Sequence, residues 1–256
     1  MTLDRPFYID IDYHPYLFYV VLGASLEDNF EVSKDRHHVD GFPEGLEFFY
    51  IDRENDSEYM DNMMGGTIGS ILMDENPELY LKVKGEQSWA IIRGEVKDDT
   101  DLSYMKNVIG YIQALVERGG KAVFDFSTVT LYSPIEWRKR FFQPEFSPCD
   151  HIRVNSSIDR RAKKPSMWIH TRGMSKYGRP DISFENVPEG KENMVINIIR
   201  QMIYFSAQGA FYTKPAKFHF NAKHAGVVTP VFQNDFENEV FNNAFYKIDW
   251  NACEFS

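Results

Sequence analysis

The sequence predicts an α+β protein built from mostly antiparallel sheet, with helices packed on one face of it. Three observations carry this expectation. Aromatic residues make up 15% of the 256 residues, with 21 Phe and 14 Tyr, which suits strands with bulky cross-strand pairs. Two long stretches carry apolar residues at helical spacing. Several short β-rich runs lie between turn clusters, and they are not arranged in the strand–helix alternation of a parallel sheet.

In chain order, FYIDID (7–12) alternates and YLFYVVL (16–22) is rich in β-formers, so both read as strands. DGFPEG (40–45) is a turn cluster before a third strand, LEFFYI (46–51). DSEYMDNMM (56–64) reads as a short helix begun by Asp56 or Ser57 and stopped by Gly65 and Gly66. LYLKVKG (79–85) alternates and pairs with SWAIIRGEV (88–96) as a hairpin across GEQ. A helix follows at 101–118, with a stripe of Met105, Val108, Ile109, Ile112, Leu115 and Val116, and it stops at Gly119-Gly120. KAVFDFS (121–127) returns as a strand, and SPIEWRKRFF (133–142) is a helix capped by Ser133 with Pro134 at its first position.

The same order then recurs: strands at 166–172 and 181–187, a helix at 191–208, and a strand at 217–221, with a last strand at 245–250. Two strand–strand–helix–strand units, 79–127 and 166–221, therefore stand side by side in this reading. With no Pro/Ser-rich linker, residues 1–256 read as one compact domain. Its sub-units are an acidic N-terminal part (1–78), the first unit (79–150) and the second (151–256).

Only Cys149 and Cys253 are present, too few for a disulfide framework. Asp4, Asp10 and Asp12 rule against a signal peptide at the start, and the longest apolar run, YLFYVVLGASL, is about half of what a bilayer needs. A soluble cytoplasmic protein with no membrane partner is expected. The net charge of −10 is uneven: residues 138–180 alone carry 11 basic and three acidic side chains. That segment is either neutralised against acidic parts of the same chain or forms an anion site.

The sharpest feature lies inside it: WIHTRGMSKYGRPD, residues 168–181. On a strand, Trp168, His170 and Arg172 share one face. Gly173 and Gly178 permit a tight turn, and Arg172, Lys176 and Arg179 can converge on a carboxylate or phosphate beside Asp181. The alternative is an internal network in which these cations pair with Asp181 or a distant acid and pin a hairpin. Within the first use, His170 is the candidate proton-transfer residue, which needs a partner in hydrogen-bond reach.

The box W-x-H-T-R-G-M-x-K-x-G-R-P-D resembles one found in a family of uncharacterised bacterial proteins, a domain of unknown function. ERGGKAVFDFS followed by the SPIEW helix is similar to the same family, so the resemblance covers about residues 100–190. It implies a shared sequence pattern and brings no activity with it.

Other clusters are weaker. DRRAKKP (159–165), with Arg138, Lys139, Arg140 and Arg153, adds cations, yet the acidic chain and the lack of a recognisable motif speak against nucleic acid as a partner. His37, His38 and Asp40, the triplet Cys149-Asp150-His151, and His219 with His224 all lack zinc spacing, so no metal or other cofactor is expected. MMGGTIGS (63–70) reads as a flexible loop without the ending of a phosphate-binding loop. Asp125 is either a buried acid or the wet side of its strand. Two functions follow. One is a non-enzymatic binding or accessory module, toxin-neutralising or regulatory, whose basic hairpin docks an acidic protein segment or a small anionic ligand. The other is an enzyme acting on a small phosphate or carboxylate substrate.

Overall fold

The computed structural model describes residues 3–24, 31–159, 165–221, 224–232 and 243–255. The α+β class holds, with two mostly antiparallel sheets. The backbone gathers into two compact units. The first is Tyr16–Lys97 with Leu102–Phe146, and the second is Thr2–Pro15, Asp98–Asp101 and Ser147–Ser256. The chain therefore leaves the first unit at Lys97 and returns at Leu102, an excursion of four residues that composition does not signal.

The first unit contains, in order, β1 (Tyr16–Leu22), α1 (Lys34–His37), β2 (Leu46–Asp52), α2 (Arg53–Met64), α3 (Gly66–Glu75), α4 (Pro77–Val83), β3 (Ser88–Glu95), α5 (Ser103–Glu117), β4 (Ala122–Asp125), β5 (Thr130–Tyr132) and α6 (Pro134–Arg140). Its five-stranded sheet runs β2-β3-β1-β4-β5. β3 hydrogen-bonds to both β1 and β2, so residues 1–78 have no separate core of their own.

β1 is apolar on both faces, as a central strand covered on both sides must be. Phe18, Val20 and Leu22 join Met60, Met64, Leu72 and Val83 from α2–α4 in one core cluster. Tyr19, facing the other way, meets Trp137 of α6, and α5 lies against β1 and β4. Helices thus cover both faces of this sheet rather than one.

Two expected elements change type here. LYLKVKG is helix α4, not a strand: Asn76 accepts from Leu79 N at 3.2 Å, Pro77 opens the first turn, and Leu79 and Val83 are buried four residues apart. The apparent alternation comes from Leu81, which is 52% exposed and belongs to no core face. The first unit therefore lacks the strand–strand–helix–strand order. MMGGTIGS is likewise not a loop. It ends α2, turns at Gly65 and Gly66, and starts α3, where a side chain at Gly69 would meet the Tyr80 hydroxyl at 2.9 Å. α6 is as expected, with Ser133 and Glu136 forming a reciprocal capping box.

The second unit contains β6 (Arg153–Asp159), β7 (Ser166–Arg172), β8 (Asp181–Val187), α7 (Glu192–Ala207), β9 (Ala216–His219), β10 (His224–Val231), β11 (Phe245–Asp249) and β12 (Glu254–Phe255). They form a sheet in the order β12-β10-β11-β8-β7-β6, with β9 also on β10. β8 and β11 pair in parallel, while the other pairs of this sheet are antiparallel. Helix α7 packs its buried stripe of Val195, Ile199, Met202 and Ile203 against β7 and β8. Residues 7–12 form no strand. Phe7 N donates to Gln208 O and Tyr8 N turns back to Arg5 O, both at 3.0 Å, so there is no ladder for the alternation to serve.

Candidate functional site

The box divides into two parts with different environments. Its second half is interior. Gly173 (φ 106°) and Gly178 (φ 60°) bracket a 3-10 turn, Met174–Tyr177, in which Met174, Lys176 and Tyr177 have no solvent exposure. Gly178 is required on two counts: its backbone is left-handed, and a side chain there would meet Pro15 N and Tyr13 O at 2.9 Å.

Arg179 is also fully buried. Its Nη1 donates to Asp98 Oδ2 at 2.9 Å and to Gly178 O at 2.5 Å, and its Nη2 donates to Gly209 O at 3.0 Å. Arg5 holds the other oxygen of Asp98 and donates to Ala207 O at 3.0 Å and Tyr177 O at 3.1 Å. One carboxylate thus sits between two guanidiniums whose other terminal nitrogens reach backbone carbonyls, which makes burial of these charges tolerable, although Arg179 Nε is buried without a hydrogen-bond partner among the described residues. Burial, then the neighbouring Arg5, pulls the Arg179 pKa down, with Asp98 opposing.

Asp181 makes a second interior network. Its Oδ1 accepts from Thr171 Oγ1 at 2.7 Å and Met174 N at 3.3 Å, and its Oδ2 accepts from Asn243 Nδ2 at 3.2 Å. Asn243 also donates to Arg179 O at 2.8 Å and accepts from the Tyr13 hydroxyl. Burial raises the Asp181 carboxyl to about 6, against the pull of these hydrogen bonds and of Arg172.

The first half of the box is different. Strand register sets Asn155, His170, Ser183, Lys247 and Thr229 in one row across five strands, and Arg153 directly opposite Arg172 in the next. Trp168 stacks on the His170 ring, with centroids 4.2 Å apart, and donates from Nε1 to Ser183 Oγ at 2.9 Å. Arg153 Nε donates to Asn155 Oδ1 at 2.7 Å, and Asn155 Nδ2 approaches His170 Nε2 at 3.4 Å. Trp168, Arg153 and Arg172 are half-buried, whereas His170 is 5% exposed. Burial, then Arg172 and Arg153, lowers the His170 pKa to about 4. The same burial and Arg172 lower that of Arg153.

Of the six expected residues, then, Trp168, His170 and Arg172 share a sheet face, while Lys176, Arg179 and Asp181 lie in the interior. Arg153, Asn155 and Ser183 complete the face. Arg153 was legible only as one cation in a basic segment, because RVNSSID lacks the apolar alternation that marks a strand.

The remaining clusters have structural surroundings. His37 accepts from Ser33 N at 3.0 Å on Nδ1 and faces Glu117 at 3.4 Å on Nε2, while His38 stacks on Phe142. Asp40 pairs with Lys34 and Lys106. Cys149 points Sγ at Arg200 O, and His219 and His224 lie on β9 and β10. Among the described residues, no group of three or more His, Cys, Asp or Glu is placed to hold a metal. Asp125 is 1% exposed and accepts from Ser127 N at 3.1 Å and Thr128 N at 3.4 Å, so it ties the β4–β5 turn rather than facing water. Arg138, Lys139 and Arg140 belong to the first unit and Arg153 to the second. Arg160, Arg161, Lys163 and Lys164 lie outside the described residues. Among the described residues no helix is long and apolar enough to cross a membrane. No family model, curated protein or solved structure matches the chain.

Proposed function

We propose that the protein is a non-enzymatic binding or accessory module, regulatory or toxin-neutralising in role, that docks an acidic protein segment on the face formed by Arg153, Trp168, His170 and Arg172. The observation that carries this reading is the register. It sets two arginines directly opposite each other on one face, a concentration of fork-shaped donors suited to a carboxylate. Trp168, half-buried and stacked on His170 on the same face, adds flat apolar area of the kind that anchors interfaces.

The enzymatic alternative, proton transfer by His170 on a small anionic substrate, is less well supported. An imidazole held at about 4 is a poor match for acid–base work near neutral pH. Neutral His170 instead suits a hydrogen-bonding role next to two permanent cations. The two cysteines are unpaired thiols, which suits the reducing cytoplasm.

The test is calorimetric titration of a short Asp/Glu-rich peptide and of its Asn/Gln counterpart into the whole protein. The acidic peptide should bind at least about tenfold more tightly, with the difference shrinking in high salt. Equal binding of the two peptides, or no binding of either, rejects the reading. Inorganic phosphate and a dicarboxylate in parallel cells distinguish a small-anion site from a segment-docking one.

A further inference from the structure

β6 is the outer strand of the seven-stranded sheet. It pairs with β7 over all seven residues, and among the described residues no strand pairs with its other edge. Such an edge is usually blunted by proline, by a bulge or by shortness. β6 has no proline, and its register with β7 is unbroken. Ser156 and Ser157 are exposed, and Ile158 is 63% exposed.

RVNSSID has a symmetry that becomes meaningful on an open edge. Laid antiparallel against itself with Ser156 at the centre, it places Val154 opposite Ile158, Asn155 opposite Ser157, and Arg153 opposite the position of Asp159. Like meets like on both sides of the axis. A register slip of one residue in either direction loses the apolar pair and turns one copy's faces over. We propose that β6 pairs antiparallel with β6 of a second copy of this chain, forming a two-fold dimer with one continuous sheet.

Edge pairing of this kind supplies about one backbone hydrogen bond per residue, and the cross-strand pairs fix its register. The interface is isologous, the usual form for a homodimer. Positions facing each other across the axis have the same parity, so the axis stands perpendicular to the sheet. Both copies then present Trp168, His170 and Arg172 on the same side. The two β7 strands lie three strand spacings apart, roughly 14 Å. If that face docks an acidic segment, as proposed above, the dimer offers it twice. This last step rests on that reading; the pairing of β6 does not.

The experiment is sedimentation velocity of the whole protein across micromolar to hundred-micromolar concentrations. It is run for wild type, Ser156→Lys, Ser156→Asp and an equimolar mixture of the two variants, each checked for folding by circular dichroism. Wild type should dimerise. Each variant alone sets two like charges against each other at the axis, so its dissociation constant should rise about fivefold or more. The mixture should recover the dimer as a heterodimer. A wild type that stays monomeric throughout overturns the proposal, as does a dimer indifferent to both charges. In parallel, Ser156→Cys should cross-link to itself under mild oxidation where wild type does not, since opposed residues in adjacent strands lie within disulfide reach. Absence of that cross-link also overturns it.

Discussion

Arg179 and Asp98 form an ion pair at 2.9 Å, with side chains 0% and 2% exposed. The carboxylate is shared with Arg5, so Asp98 compensates two buried cations at once. Asp98→Asn leaves both without a counter-charge and should cost about 3–5 kcal/mol in urea unfolding. Arg179→Lys keeps the charge but loses the fork that reaches Asp98 and Gly209 O together, and should fall between that variant and wild type.

Arg172→Ala should behave differently from Arg179→Ala, because Arg172 is half-exposed and Arg179 is fully buried. We expect Arg172→Ala to lower stability by about 1 kcal/mol or less while weakening acidic-peptide binding. Arg179→Ala should lower stability by several times as much. A binding loss that merely tracks the melting temperature in both variants would remove Arg172 from the docking face.

Removing either Arg172 or Arg153 should also raise the pKa of His170, since both cations lower it and only burial and the other cation then remain. An NMR titration of the His170 ring protons in Arg172→Ala should give a midpoint above the wild-type value of about 4. An unchanged midpoint would mean that Arg172 contributes nothing to the shift.

His170 and Asp181 should pull stability in opposite directions over the same pH range. The His170 pKa falls from 6.5 to about 4 on folding, so its contribution is present above pH 6.5 and is lost as the pH drops towards 4. The Asp181 pKa rises from 3.8 to about 6, so its contribution is present below pH 3.8 and is lost as the pH rises through 6. Each effect is about 3 kcal/mol at most. Measured against wild type at each pH, His170→Gln should gain stability as pH falls from 6 to 4, and Asp181→Asn should lose it. Parallel curves for the three proteins would refute the assignment.

Gly178→Ala forces a side chain into a left-handed position against Pro15 N and Tyr13 O. It should destabilise by at least about 1–2 kcal/mol, read as a lower urea midpoint at unchanged slope. Gly85→Ala, where nothing lies within 4 Å, is the matched control.

Strands and helices whose apolar spacing reflects a real core face were legible: 16–22, 166–172 and 181–187 match β1, β7 and β8, and the stripes of α5 and α7 are where the periodicity puts them. Alternation misled where it arose without a ladder, at Phe7–Asp12, or from one exposed leucine, at Leu81. β6 and the role of Arg153 were not legible, because an edge strand with a polar face shows neither periodicity. The interior half of the box was not legible either. Nothing local says that Arg179 will meet an acid 81 positions earlier in the chain, or that Asp181 will face Asn243.

The placement of Asp98 bears on how the protein is made. Synthesis runs from the N-terminus, so Arg5 and Asp98 leave the ribosome well before Arg179, whose ion pair with Asp98 spans 81 residues. At roughly 5–20 residues per second, the acid waits on the order of 4–16 seconds for its second cation. The first unit, finished at Phe146, has its whole sequence exposed within that wait. The Asp98–Arg179 pair can form only once the nascent chain has delivered Arg179, and Arg179 Nη2 finds its acceptor only with Gly209. A fragment starting at Ser147 would carry Arg179 without Asp98, so the second unit cannot be excised as one continuous piece and keep its interior intact.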